Sequence, residues 1–199
     1  MNGMIGAFAG LIDKAANETG RDESNAMQLG FLLQGDRDTA SKLANADVGP
    51  GDVRQLSALG WLWYLNYRAE FEGAPPPSDA FLDALFDMWG DHYIRSQIVD
   101  STIKGAPETS KPFEAWTVDD IPMAWVRHRF LTGRDLPELA VLLLETSDDY
   151  AVGAVRALLS DGRTRRYRDR VLVAVREFLS NVHEEVRPQW LAGLGLGAS

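Results

Sequence analysis

Residues 56–71 read Leu56-Ser57-Ala58-Leu59-Gly60-Trp61-Leu62-Trp63-Tyr64-Leu65-Asn66-Tyr67-Arg68-Ala69-Glu70-Phe71. At helical spacing the apolar positions Leu56, Leu59, Trp61, Leu62, Trp63, Tyr64, Leu65, Tyr67 and Phe71 fall on nearly every side. A helix that is apolar almost all round must be covered on several sides, which places it in the middle of a bundle. Asp52 is the expected N-cap, because its carboxylate can accept the free N–H groups of a first turn. Gly60 inside this helix costs about 1 kcal/mol against Ala. The expected compensation is close approach of a neighbouring helix.

Outward from this stretch the pattern stays helical. Ala74-Pro75-Pro76-Pro77 is a stiff, extended break. Ser78 is then expected to cap a long helix from about Asp79 to Thr102, and the longest loop follows over Gly105 to Pro112. Four more helices are expected beyond it. Thr117, Asp119 or Asp120 caps the first, with Pro122 in its opening turn, and Asp135 caps the second, with Pro137 in its opening turn. Ser147 caps the third, which ends at Gly162, and the fourth runs from about Thr164 to Val186, limited by Pro188. Towards the N-terminus, Met4, Ile5, Phe8, Ile12 and Ala15 share one face of a first helix ending near Asn17. A second helix carries Met27, Phe31 and Leu32, and a short third follows Asp36 or Asp38 and stops before Gly49-Pro50-Gly51. No stretch alternates with period two in β-branched residues, so no strand is expected. The fold class is all-α, a compact bundle of about nine helices.

Thr19-Gly20-Arg21-Asp22 recurs as Thr132-Gly133-Arg134-Asp135. A duplication would give two related halves and a short α-solenoid. Convergence explains the match equally simply, since Gly ends helices and Asp begins them. The sequence is read as one all-α domain over 1–199, with sub-units 1–73 and 113–187 joined by the 79–104 helix.

Composition excludes whole classes of function. The 199 residues include no Cys, which removes disulfides, thiolate metal sites and thiol catalysis. A hydrophobic content of 45% with 25% charged residues is that of an ordinary globular chain. About 70% of the surface of a chain of this size is buried on folding, enough for a full core. The apolar opening Met1 to Ile12 lacks the basic start of a secretory signal, and no run approaches the ~20 residues of a membrane span. A cytoplasmic location and no membrane contact are therefore expected. The net charge is −9. Residues 1–150 hold 24 acids and 12 bases, against 5 acids and 8 bases in residues 151–199. Such a balance repels nucleic acid and attracts a basic protein.

The sharpest surface feature is Asp79, Asp83, Asp87 and Asp91, spaced i, i+4 along the expected long helix. Its other side carries Leu82, Leu85, Phe86, Trp89 and Tyr93. On a continuous helix the four carboxylates form a ridge roughly 18 Å long. Like charges at this spacing destabilise a helix by a few tenths of a kcal/mol each, which motivates a docking role. Trp116 lies outside the strong helical patterns and is the expected apolar anchor beside the ridge. A second reading adds His92 to Asp87 and Asp91 as a cation site, since imidazole and carboxylates one turn apart can share a metal. The Glu-x-x-His pairs of helical di-metal proteins are absent.

Arg163, Arg165, Arg166, Arg168 and Arg170, with Tyr167 among them, form the one dense basic cluster. On an α-helix these offsets spread round the axis, and ion pairs with carboxylates are expected of them. His128 and His183 have no local nucleophile, and His183 lacks the second His of a zinc helix. The paired acids Asp119-Asp120 and Asp148-Asp149 sit where caps are needed. No nucleophile elbow or phosphate-binding loop is present.

In general character the chain resembles small acidic helical bacterial proteins, such as immunity proteins, that bind and neutralise a basic toxin or effector. That likeness implies a non-enzymatic binding protein, inhibitor-like or chaperone-like, with no cofactor and no metal, docking a basic partner through Asp79, Asp83, Asp87, Asp91 and Trp116. Two other classes fit the same residues. One is a helical enzyme or metal protein using Asp87, Asp91 and His92. The other is an assembly subunit of a phage or secretion particle that uses the Arg cluster and the Trp190 tail.

Overall fold

A computed structural model describes residues 45, 47–54, 56, 58–70 and 74–197. The expected helices over 4–17 and 24–35, the first Thr-Gly-Arg-Asp copy and most of the expected third helix lie outside the described residues; Asn45, Asp47 and Val48 at its end are described and are not helical. Among the described residues there are eight α-helices and no strand. The fold is an all-α helical bundle. None of these helices is long and apolar enough to cross a membrane. The chain divides into two compact units between Gly105 and Ala106, at the head of the longest loop.

In the first unit, a 3-10 turn at Pro50–Asp52 precedes α1 (Ala58–Glu70). α2 (Asp79–Met88) and α3 (His92–Lys104) follow the proline break. α1 packs along α3, and α2 packs on the Pro50–Asp52 turn. Trp61 is the hub. Its ring meets Phe81 edge-on at 5.0 Å and Tyr64 at 5.6 Å, and its Nε1 donates to the Val53 carbonyl at 2.8 Å. Leu85, Phe86, Ile98 and Val99 close this core. Each such side chain contributes about 1.5–3 kcal/mol by leaving water. Arg68 is also buried, donating from Nε to the Pro75 carbonyl at 2.7 Å and from a guanidinium N–H to the Tyr64 hydroxyl. It ties the end of α1 to the proline run. Asp52 caps the Pro50–Asp52 turn instead of α1, its carboxylate accepting from Gly49 N at 2.8 Å.

The 79–104 segment is two helices, not one. α2 ends at Met88, where Trp89 leaves helical geometry at ψ 70°. Asp91 starts α3 as its N-cap, one carboxylate oxygen accepting from Tyr93 N at 2.9 Å and Ile94 N at 3.2 Å. Asp79 to Asp91 therefore do not share one helix. The pattern Gly then Asp is the stop-and-start signal itself. Both helices belong to the first unit, so this segment is not a rod joining two halves.

The second unit contains 3-10 turns at Phe113–Ala115 and Val118–Asp120, then α4 (Ala124–Thr132), α5 (Leu136–Glu145) and α6 (Asp149–Ser160). A six-residue 3-10 segment, Gly162–Tyr167, leads into α7 (Arg168–Asn181), and α8 (Arg187–Gly193) is the last helix. α5 packs on α7 and α6, with Leu136, Leu139, Ala140, Leu142, Leu143 and Leu144 buried. α8 packs on α6. The expected single helix over 164–186 is thus a 3-10 segment and an α-helix, and Pro188 opens a further helix instead of limiting the last. Thr117 and Asp120 cap a 3-10 turn, and α4 starts only at Ala124. Asp148 caps α6 in place of Ser147, whose φ is 56°.

The second Thr-Gly-Arg-Asp copy behaves as a connector. Gly133 ends α4 at φ 73°, a conformation that favours glycine. The Tyr167 ring lies directly over it, so that a Cβ here would meet Cζ at 2.0 Å. Asp135 occupies the N-cap position of α5 at φ 48°, but makes no capping bond. Its carboxylate accepts from Arg129 at 3.0 Å instead. Arg129 is wholly buried, with its guanidinium 5.6 Å from the Trp125 ring centre.

Candidate interaction site

The break after Met88 turns the expected ridge into a corner. Asp79 and Asp83 are half-buried on α2, whereas Asp87 and Asp91 are exposed at the turn. The backbone of the corner is fastened from α3. Arg95 donates from Nε to the Trp89 carbonyl at 3.3 Å, and its guanidinium sits 4.7 Å from the Phe86 ring centre. Trp89 is half-buried, with its indole N–H shut away from solvent. Two large apolar side chains remain outside. Met88 is 40% exposed and Tyr93 62% exposed. They fall in the same stretch as Asp87 and Asp91, so the turn exposes two apolar side chains and two carboxylates. Tyr93 was not among the expected contact residues. The sequence places it on the apolar stripe of one long helix, and only the break after Met88 takes it off that stripe.

Trp116 is not exposed. It is 3% accessible, and its Nε1 donates to the Lys111 carbonyl at 2.8 Å. Phe113 meets its ring edge-on at 5.0 Å, and Tyr150 tilts against it at 5.9 Å. The Tyr150 hydroxyl donates to the Pro107 carbonyl, and Phe113 covers Gly153 of α6 so closely that a Cβ there would lie 2.5 Å from its ring. Trp116 therefore pins the loop to α6 and offers no anchor to a partner. Trp190 likewise packs, its ring 5.7 Å from Phe178.

The metal reading assumed one continuous helix, which the same corner interrupts. Asp87 closes α2 while Asp91 and His92 open α3. Among the described residues no group of three or more His, Asp or Glu side chains is placed to hold a metal ion. His128 and His183 are exposed, and neither stands in such a group.

The Arg cluster divides into a structural and an open part. Arg163 bridges Asp161 at 2.7 Å and Asp119 at 2.9 Å. The Asp161 carboxylate also accepts from Val118 N at 3.1 Å and caps the 3-10 segment through Arg163 N at 2.9 Å. Hydrogen bonding from Arg163 in the first place, with the two backbone N–H groups, holds the Asp161 carboxyl well below the usual carboxylate range. Nearby, Lys111 Nζ at 2.5 Å and the Thr117 N–H and hydroxyl lower Asp120 to about 2. By contrast Arg165, Arg166, Arg168 and Arg170 are exposed and form no ion pair among the described residues. Arg166 lies over the Tyr167 ring at 4.5 Å.

Comparison with known protein families, with curated proteins and with solved structures finds no match to this chain.

Proposed function

We propose that the chain is a non-enzymatic binding protein that docks on a basic protein through the α2–α3 corner and so neutralises or shelters it. The observation that carries this reading is Tyr93, 62% exposed, beside exposed Met88, Asp87 and Asp91 on a fastened turn. A lone exposed apolar residue needs no explanation, but an aromatic and a methionine together among carboxylates have the make-up of an interface centre with a charged rim. The aromatic supplies desolvation energy once covered. The carboxylates speed encounter with a basic surface and set its orientation. The net charge of −9 acts in the same sense over longer range. An immunity-type or inhibitor-type role in a bacterial cytoplasm is the reading most in keeping with this combination.

The test is affinity capture from native lysate at low and high salt, followed by binding kinetics on the captured protein. A basic partner at near-equal stoichiometry, released as salt rises, is expected. Asp83→Lys with Asp87→Lys should slow its association and flatten the salt dependence, whereas Tyr93→Ala should speed its release. A partner whose kinetics ignore all three substitutions would move the site elsewhere. Capture of nothing at either salt would overturn the binding role.

A further inference from the structure

Asp161-Gly162 is the single Asp-Gly pair in the sequence. Such a pair has a chemistry of its own. The main-chain nitrogen that follows an aspartate can attack the side-chain carbonyl carbon and close a five-membered imide ring. Most residues hinder that attack with their own side chain, and glycine has none. At this site the nucleophile is open, since nothing stands within 4 Å of where a Gly162 Cβ would lie. The electrophile is held. Asp161 ends α6 with its N–H on the Ala157 carbonyl at 2.9 Å and opens the 3-10 segment as N-cap. One carboxylate oxygen accepts from Arg163 N at 2.9 Å and Arg163 Nε at 3.0 Å. The other accepts from a terminal guanidinium nitrogen of Arg163 at 2.7 Å and from Val118 N at 3.1 Å. The guanidinium thus grips both oxygens in the fork geometry of strong, charge-assisted bonds. Only 5% of the Asp161 side chain is exposed.

This grip opposes ring closure in two ways. It fixes the carboxylate on Arg163 and Val118, which removes its freedom to turn towards Gly162 N. It also keeps the group ionised, because the hydrogen bonds from Arg163 hold the carboxyl well below its ordinary range. A carboxylate oxygen is a far poorer leaving group than the hydroxyl of the neutral acid. We propose that Asp161-Gly162 is a self-modification site, which converts slowly to an isoaspartyl linkage at a rate set by how often the Arg163 fork lets the carboxylate go. In the released state the Gly162 N–Cγ bond forms and the Cγ–OH bond breaks. The amide proton and that hydroxyl leave together as one water. Water then adds to one of the two imide carbonyls, which restores aspartate or yields isoaspartate. One water leaves and one returns, so no other reactant is needed and the mass is unchanged. In the product the main chain runs through the former side chain and is longer by one methylene. The carboxylate hangs on a shorter arm and loses its register with Val118 N and Arg163 N. The tie between the Val118–Asp120 turn and the 3-10 segment is lost with it. Arg163 then stays with Asp119, which it already bridges at 2.9 Å. Elapsed time is in this way turned into a loosened second unit.

Purified full-length protein kept warm near neutral pH tests this. Isoaspartate is detected by methyl transfer with an isoaspartyl methyltransferase and placed by peptide mapping, which scores residue 161 apart from Asn2-Gly3. The wild type should gain it slowly at residue 161. Arg163→Gln should gain it there roughly tenfold or more faster, the change in released population that the loss of charged hydrogen bonds gives. If that variant does not fold by circular dichroism, Arg163→Lys takes its place, since it keeps the charge without the fork. Adding Gly162→Ala to the Arg163 variant puts a side chain into open space and should bring the rate back down. Gly133→Ala disturbs the same unit at a distance and leaves the fork intact, so its rate should stay near that of the wild type. An Arg163 variant that gains isoaspartate at 161 no faster than the wild type overturns the proposal. Equal acceleration by Gly133→Ala also overturns it, because the protection would then belong to the unit at large. So does an Arg163 variant whose rate ignores Gly162→Ala, because the Gly162 nitrogen would not be the nucleophile.

Discussion

At Trp89-Gly90-Asp91 and again at Gly133-Arg134-Asp135, one helix ends and the next begins within three residues. The first turn is held locally. Asp91 caps its own helix, and a Cβ at Gly90 would find its nearest neighbour, the end of the Arg95 side chain, at 3.9 Å. The second turn is held from afar. Gly133 is left-handed under the Tyr167 ring, and Asp135 is left-handed with its carboxylate drawn to a buried Arg129. Asp91 of the first turn is exposed, whereas Gly133 and Asp135 of the second are keyed into the unit. A connection closed by its own backbone and cap leaves its surface available for recognition. One closed by distant partners is committed to stability.

The keyed turn should break hardest. Gly133→Ala combines a left-handed backbone with a displaced Tyr167 ring, and should cost about 2–4 kcal/mol by chemical denaturation. Adding Tyr167→Ala should recover the steric share, so the double variant is less damaged than the two single effects summed. Strict additivity would show that the ring is no lock.

The second unit should also be the more sensitive to acid. The Asp161 carboxyl is held below its ordinary range, so the unfolded chain takes up that proton first as pH falls. The stability it contributes is complete above the unfolded value of about 3.9 and drains away below it. Asp120, lowered to about 2, adds to the loss between about 4 and 2. Asp161→Asn should cost about 1–3 kcal/mol near neutrality and flatten the acid limb of a stability-versus-pH curve. An unchanged acid limb would remove the Val118–Asp161–Arg163 node from the account.

The open turn should yield least. Asp91→Ala removes one cap and should cost about 1 kcal/mol. Gly90→Ala should shift the melting free energy by less than about 0.5 kcal/mol, because nothing stands in the way. A large loss at Gly90 would mean that the corner is keyed after all and poorly suited to docking.

What sequence reveals and what it hides follows the same division. The apolar stretch around Trp61 announces a buried helix because its pattern is local, and Gly133 announces a helix end for the same reason. The Gly-Asp signal at 90–91 is equally local. It was masked by the regular run of Asp79, Asp83, Asp87 and Asp91, whose spacing mimics one continuous helix. Trp116 could not be placed from its neighbours. The residues that bury it include Tyr150, far along the chain, and Phe113, which is itself seated on Gly153 of α6. The Arg cluster is dispersed in the structure as well, since Arg168 and Arg170 fall on opposite sides of α7; what the sequence did not show is the 3-10 segment, which brings Arg163 into line with Arg166. Of the candidate contacts, Asp87 and Asp91 keep their exposure, and Met88 and Tyr93 emerge only once the helices have ends.

The Tyr167 ring over Gly133 has one more consequence. The tyrosine hydroxyl also reaches the Thr132 carbonyl at 3.4 Å, 35 positions back along the chain. A segment inherited or transplanted with one of these residues and not the other would carry a bare left-handed glycine, or a ring with no seat. Gly133 and Tyr167 therefore have to be carried together. A chimaera whose crossover falls between them should be less stable than one whose crossover falls outside.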